Sequence, residues 1–290
     1  MDMIHNRGDH HAAEDNDNQT ETSMTKTLAK ERVLVTGASS GIGEALARRF
    51  ARAGHDLVLV ARSADKLRAL ADELGHKHGI SVLCLPADLA RPGEAAKLAA
   101  TLKRRKLDVT VLVNNAGINH TGRFDQLDPA MHQALIALNI AATTDMIAHF
   151  LPAMAQRDYG RVLNVASTSS FVPVPYMATY AASKAYLLSL TESLSEEFKG
   201  TGVTFTALCP GVTATPMVES MSASNAKFVK IIGATVLDVK EVADAGYDAC
   251  MKGQVVRIPG KVNLATAISG RAMPKWMTRR VVGFMGRLSQ

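Results

Sequence analysis

The sequence predicts an α/β protein built on one parallel sheet, doubly wound, with helices on both faces in a single domain. Two observations carry this. Short runs rich in Val, Leu and Ile recur along the chain, and most are followed by a stretch with helical apolar spacing. The 290 residues are 47% hydrophobic, enough for one sizeable core. Parallel strands are covered on both faces, so they read as unbroken apolar runs.

Residues 1–29 lack apolar periodicity and read as a disordered arm; His5, His10 and His11 within it are taken as solvated, with no metal site expected. Order begins with a strand over 32–36. It runs straight into Gly37-Ala38-Ser39-Ser40-Gly41-Ile42-Gly43, and a helix follows. Strand, glycine turn and helix together form the context a dinucleotide-binding motif requires. Gly37 permits the tight turn, Gly41 lets the backbone approach a pyrophosphate, and Gly43 lets the helix pack on the strand. The first amides of the helix carry partial positive charge toward phosphate.

A second strand over 56–61 ends at Ala61-Arg62, where an NAD site carries an acid for the ribose 2′-hydroxyl. The acid is missing and a guanidinium follows, which favours NADP over NAD. A helix over 63–77 leads to a third strand over 80–85 and to Asp88, for which two accounts fit: contact with an adenine edge, or the cap of the next helix. That helix ends in Lys103-Arg104-Arg105-Lys106, read as a solvated last turn. A fourth strand over 108–113 runs into Asn114-Asn115-Ala116-Gly117, small and amide residues that allow close cofactor approach.

A long helix is predicted over 128–156. Within it Asn139 lies in an apolar stretch, either a satisfied core group or part of a site. The fifth strand, 161–166, delivers Ser167 at its carboxyl end, the edge where open parallel sheets bind ligands. A helix over 180–199 carries Tyr180 and Lys184 at i, i+4. That spacing sets an ammonium beside a phenol and is expected to lower the tyrosine pKa from about 10 toward the working pH. A sixth strand, 203–208, ends in Cys209-Pro210-Gly211-Val212-Thr213-Ala214-Thr215; a helix over 238–252, capped by Asp238, and a short strand over 255–259 follow.

Composition bounds the rest. Cys84, Cys209 and Cys250 are far apart, with neither a disulfide framework nor a zinc spacing, so a reducing, cytoplasmic setting is expected. No unbroken apolar run approaches the roughly 18–20 residues that span a bilayer. The net charge of +6 is concentrated after Cys250, where eight Lys and Arg residues occur with no acid, so nucleic acid is not expected as a partner.

Taken together, Thr36 to Gly43, Asn114 to Gly117, Asn139, Ser167, Tyr180-x-x-x-Lys184 and Pro210-Gly211 with Thr215 resemble the short-chain dehydrogenase/reductase family, in its order and spacing, over about residues 30–250. The resemblance implies a Rossmann-type fold and reversible hydride transfer between a nicotinamide and an alcohol or carbonyl. It implies that Tyr180 gives the proton, Ser167 holds the carbonyl oxygen, and Lys184 lowers the tyrosine pKa and binds the nicotinamide ribose. Asn139 would hold a water that passes protons to Lys184. Thr213 and Thr215 would lie by the pyrophosphate or the nicotinamide amide, with Pro210-Gly211 turning the backbone there. A homo-dimer or homo-tetramer is the usual family arrangement.

Substrate choice is expected in 119–127 and 217–237. In the second, Met217, Met221, Phe228, Val229, Ile231 and Ile232 fit either one side of an amphipathic lid over an apolar substrate or plain helix packing. The chain from 261 on reads as a basic amphipathic extension. Positions 277, 281, 284, 285 and 288 share one face, fit for an anionic membrane surface or for a groove on its own domain or a partner copy. Two functions remain distinct at this point: an NADP-dependent carbonyl reductase or alcohol dehydrogenase, and an NADP-binding regulator or scaffold without turnover.

Overall fold

The computed structural model describes residues 30–216, 218, 236–272 and 274–288. The expected arm over 1–29 and nearly all of the proposed lid fall outside them. The chain forms β1 (Arg32–Thr36), α1 (Gly41–Arg52), β2 (Asp56–Ala61), α2 (Ala64–His78), β3 (Val82–Pro86), α3 (Glu94–Arg104) and β4 (Val111–Asn114). It continues with α4 (Pro129–Ile136), α5 (Thr143–Gln156), β5 (Gly160–Val165), α6 (Ala178–Glu197) and β6 (Val203–Leu208). The last elements are α7 (Val239–Met251), β7 (Val256–Arg257), α8 (Lys261–Ala272) and α9 (Lys275–Leu288).

The seven strands pair in parallel in the order β3-β2-β1-β4-β5-β6-β7. Alternate strand residues feed two cores. Val33, Val35, Leu57, Leu59, Val111 and Leu163 pack under α1, α2 and α7. Leu34, Val58, Leu112, Val162 and Phe205 pack against α3 and α5. The sheet is therefore parallel and covered on both faces, as the apolar runs implied, and Rossmann-type, as the family resemblance implied. Between β1 and β4 the strand order reverses direction, and a crevice opens there at the carboxyl edge.

The long helix expected over 128–156 forms as one continuous helical run, Pro129–Gln156, with an internal change of pitch. α4 and α5 are joined by a π-helical segment, Ala137–Ala142, continuous with both. A π turn inserts one residue into the helical repeat, and Asn139 sits in it, buried. The whole stretch Pro129–Gln156 is long and apolar enough by composition to cross a bilayer, although no unbroken apolar run predicted this. Its inner face, with Leu135, Ala142, Met146, Ile147, Phe150 and Met154, lies buried in the protein. The fourth strand starts later than expected, at Val111; ahead of it the Arg157 guanidinium donates to the Val109 carbonyl. α8, which apolar spacing did not reveal, packs on the domain through Asn263, buried Ala267 and Gly270, reaching Gly211 and Val172.

Candidate active site

At the carboxyl edge of the sheet the crevice widens into a cleft of about 800 Å³. Its floor is the β1 turn. Gly37 is left-handed, with φ of 66°, and a Cβ there would meet the Asn115 amide nitrogen at 2.7 Å and Ala116 Cα at 3.0 Å. A Cβ on Gly43 would strike the Gly37 carbonyl oxygen at 2.3 Å. Ser40 starts α1 without a side-chain cap, so the first amides of the helix are left for an anion.

Thr36 and Asn115 lock this turn to β4. The Thr36 hydroxyl donates to the Val113 carbonyl at 3.2 Å and accepts from the Asn115 and Ala116 amides at 2.9 and 3.1 Å. The Asn115 side chain donates to the Thr36 carbonyl at 3.0 Å. One strand deeper, Asn114 donates to Asn164 at 2.9 Å, and Asn164 donates to Thr191 of α6 at 2.9 Å. These bonds join three strands and a helix beneath the cleft.

Most of the sequence-predicted residues line it: Gly37, Ser39, Ser40, Gly41, Ile42, Arg62, Asp88, Asn115, Ala116, Gly117, Ser167, Tyr180, Lys184, Pro210, Gly211, Thr213 and Thr215. Gly43 and Asn139 stand just behind the wall. Asp88 faces the cleft, and the cap account is corrected: its carboxylate accepts from the Ala90 amide at 3.3 Å in the turn ahead of α3, whose N-cap is Gly93. Lys66, on the first turns of α2 and close in sequence to Arg62, also lines the cleft. Its helical spacing from the strand end was the signal that the sequence reading passed over. Ile118, Leu138 and Val218 are further wall residues with no motif to mark them.

Ser167 lies at the end of β5, its hydroxyl accepting from the Ser169 amide at 3.1 Å. That leaves its O–H free to donate on the side of the Tyr180 phenol, whose pKa it acts to lower. The Lys184 ammonium donates to the Val165 carbonyl at 2.8 Å and sits 5.7 Å from the centre of the Tyr180 ring. Asn139 has both donors and one acceptor position in use: its oxygen accepts from the Ile118 amide at 2.9 Å, while its nitrogen donates to the Ile118 carbonyl at 3.0 Å and to Ser183 at 3.1 Å. Ser183 in turn donates to the Tyr180 carbonyl at 2.7 Å. The π segment thus braces the helix turn that carries Tyr180 and Lys184.

The electrostatics correct one expectation. Burial raises the Tyr180 phenol above its usual range, and the Ser167 hydrogen bond only partly opposes it. The causes of the Tyr180 shift are burial and Ser167, while the Lys184 pKa is itself brought down to about 8 by burial, the Cys209 side chain opposing. Tyr180 retains some open surface toward the cleft, but dense packing around the ring sets the sign. In this state the residue is a held proton, poised as an acid.

The segment 119–127, expected to bear on substrate choice, docks beside the start of α6. Tyr176 takes a left-handed conformation, φ 66°, and its carbonyl accepts from the Gly122 amide at 2.9 Å. His132 stacks on Phe124 at 4.3 Å and bonds Thr179 at 2.8 Å. The other expected substrate segment returns to the site through a parallel bridge between Thr213 and Leu237.

A doubly wound sheet with a glycine turn at its switch point and a Ser, Tyr and Lys set at its carboxyl edge defines the class of nicotinamide-binding oxidoreductases. The short chain dehydrogenase family matches residues 31–226. The chain belongs to that family, whose members act on CH–OH and C=O groups. It is 34% identical over 205 residues to the D-beta-hydroxybutyrate dehydrogenase of Rhizobium meliloti (strain 1021), covering 70% of this chain and 78% of that one. Among solved structures it is similar to a 7beta-hydroxysteroid dehydrogenase, with a TM-score of 0.79, 27% identity and coverage of 87% and 96% of the two chains. It also resembles a short-chain dehydrogenase from Sphingobium yanoikuyae in complex with NADPH, with a TM-score of 0.74, 35% identity and coverage of 83% and 93%.

Proposed function

We propose that the protein is an NADP-dependent carbonyl reductase or alcohol dehydrogenase for a small to medium, apolar substrate. The observation that carries this reading is the convergence of Ser167, Tyr180 and Lys184 on one cleft that also contains the glycine turn and Arg62. Bound there, the nicotinamide supplies or accepts the hydride. Ser167 holds the carbonyl oxygen by donating its O–H. Tyr180, kept protonated by burial, gives its proton to that oxygen as charge develops, and Lys184 stabilises the phenolate left behind. Asn139 is assigned a water that returns protons toward Lys184; its amide N–H groups are already used, so the water is held on oxygen.

Gly37, Ser39, Ser40, Gly41 and Ile42 are assigned to the pyrophosphate, with Gly43 as the packing contact that lets α1 approach. Arg62, exposed at the mouth with no acid at Ala61, is assigned to a 2′-phosphate, and Lys66 is a second cation for the same group. Asp88 is assigned to the adenine edge. Asn115, Ala116, Gly117, Pro210, Gly211, Thr213 and Thr215 line the path from ribose to nicotinamide. The NADPH-bound Sphingobium relative supports the cofactor reading. The hydroxysteroid and hydroxybutyrate enzymes bracket a wide substrate range.

A cytoplasmic homo-dimer or homo-tetramer completes the proposal. The alternative, an NADP-binding regulator or scaffold of the same fold, is disfavoured because a sensor has no need of the proton-transfer set. Screening NADPH oxidation against aldehydes, ketones, quinones, steroids and 3-oxoacyl thioesters, with Tyr180→Phe as control, separates the two. Turnover that survives intact in Tyr180→Phe refutes the assigned acid, and no turnover on any class favours the regulator.

A further inference from the structure

The C-terminal helices carry an apolar surface that the catalytic reading does not use. On α8 Val262, Leu264 and Ile268 are exposed, with relative accessibilities of 62%, 44% and 59%; on α9 Trp276 and Met277 follow at 54% and 37%. Of nine large hydrophobic side chains exposed among the described residues, these two short helices hold five. The inner side of α8 is spent on the domain through Asn263, Ala267 and Gly270, so the exposed residues lie on its outward face. Thr278 points inward on α9, leaving Trp276, Met277, Arg279 and Arg280 outward.

Charge selects among occupants. From Cys250 to the end the chain has eight Lys and Arg residues and no Asp or Glu. A two-fold contact between copies would set this patch against itself, bringing exposed Lys261, Arg279 and Arg280 of one copy toward those of the other. A nucleic-acid backbone complements the cations but not exposed Ile268, Val262 and Trp276. An anionic bilayer complements both, taking the cations at its headgroups and the apolar side chains at the acyl boundary. Trp276, with Arg280 placed 5.7 Å from its ring, is a side-chain type suited to that boundary.

We infer that α8 and α9 dock the protein on anionic membrane surfaces. Because α8 also touches Gly211, which lines the cleft, and Val172, docking sets that wall of the cleft near the bilayer, which on the proposed reading of the site is a source of apolar carbonyl compounds. The test is co-sedimentation of the full chain with vesicles of phosphatidylcholine alone or with about 30% phosphatidylglycerol, at low and high salt. The expected result is binding to the anionic vesicles that is at least roughly tenfold tighter than to neutral ones and weakens with salt. Arg279→Glu with Arg280→Glu, and separately Ile268→Asp with Trp276→Asp, are expected to lower it by a similar factor with soluble turnover unchanged. Equal binding to both vesicle types, or none, overturns the inference. So does dissociation of an oligomer by the Ile268 and Trp276 pair in light scattering, or equally tight binding of duplex DNA.

Discussion

Ionisable groups are buried at both ends of the sheet, and the carboxyl end opens onto the cleft. At the carboxyl edge are Lys184, Tyr180 and Ser167. At the amino edge a second cluster gathers: the Glu31 amide donates to His55 Nδ1 at 3.2 Å, Tyr159 donates to the Glu31 carboxylate, and the Tyr247 hydroxyl lies 3.5 Å from His55 Nε2. Arg49 covers the Tyr247 ring at 3.6 Å and pairs with Asp244 at 3.0 Å. Both clusters have shifted acids and bases. Burial pushes Tyr159 up, as it does Tyr180, and lowers His55, as it does Lys184. A shifted pKa therefore marks burial at either end, and it is the access of the group to a cleft that separates a reagent from a clasp.

The comparison breaks most sharply at Tyr180. Tyr180→Phe is expected to lower kcat by roughly 10²–10⁴-fold while leaving the melting temperature close to wild type. Tyr159→Phe, at the other end, should do the reverse, losing stability through the unpaired Glu31 carboxylate and keeping turnover. Steady-state kinetics alongside thermal melts read both, and equal kinetic damage from the two would erase the distinction.

Next in size is cofactor choice. Ala61→Asp with Arg62→Leu should swing the NADP/NAD affinity ratio toward NAD by roughly ten- to a hundredfold, the worth of a lost charge-assisted contact. An unchanged ratio in fluorescence titration removes Arg62 from the site. Smaller again, Ser183→Ala unties Asn139 from the Tyr180 turn and should cost about 1–3 kcal/mol of stability. A lower kcat at unchanged KM would show that the brace also positions Tyr180.

The mildest effect belongs to His55. Its pKa lies below the usual value of 6.5 in the folded chain, chiefly through burial, with Arg49 adding to the shift and Glu31 and Asp56 opposing it. The unfolded chain then binds more protons below about pH 6.5, so stability is lost as the pH falls through that value. His55→Phe should flatten this acid limb in denaturant titrations at pH 5 and 7, and a slope that persists assigns it to other groups.

What the sequence revealed follows the same division. The glycine turn, the strand ends and the Tyr180 to Lys184 spacing are local patterns, and the structure brings them to one cleft. The sign of the Tyr180 shift was not legible, because it depends on how many atoms crowd the ring, and spacing reports only one neighbour. Asn139 stayed ambiguous until the π insertion and its partner Ile118 were visible, since neither leaves a periodic trace. The amino-edge cluster draws Glu31, His55, Tyr159 and Tyr247 from four distant places and has no motif. α8 escaped for a similar reason, its inner side being made of Asn263, Ala267 and Gly270, which no apolar repeat announces.

The bond from Thr36 to the Val113 carbonyl spans 77 positions of chain. Everything between, three helices and two strands, is enclosed by that contact. Closing a loop of that length costs about 4 kcal/mol in chain entropy, apart from a constant term. By contrast, the contacts of Tyr180 with Ser183 and of Lys184 with Val165 close loops of 3 and 19 positions. The proton-transfer half is thus the cheap part to assemble. A dinucleotide lying across the join would act as a cross-link on the expensive one, and refolding with the cofactor present should gain most at the β1 to β4 seam.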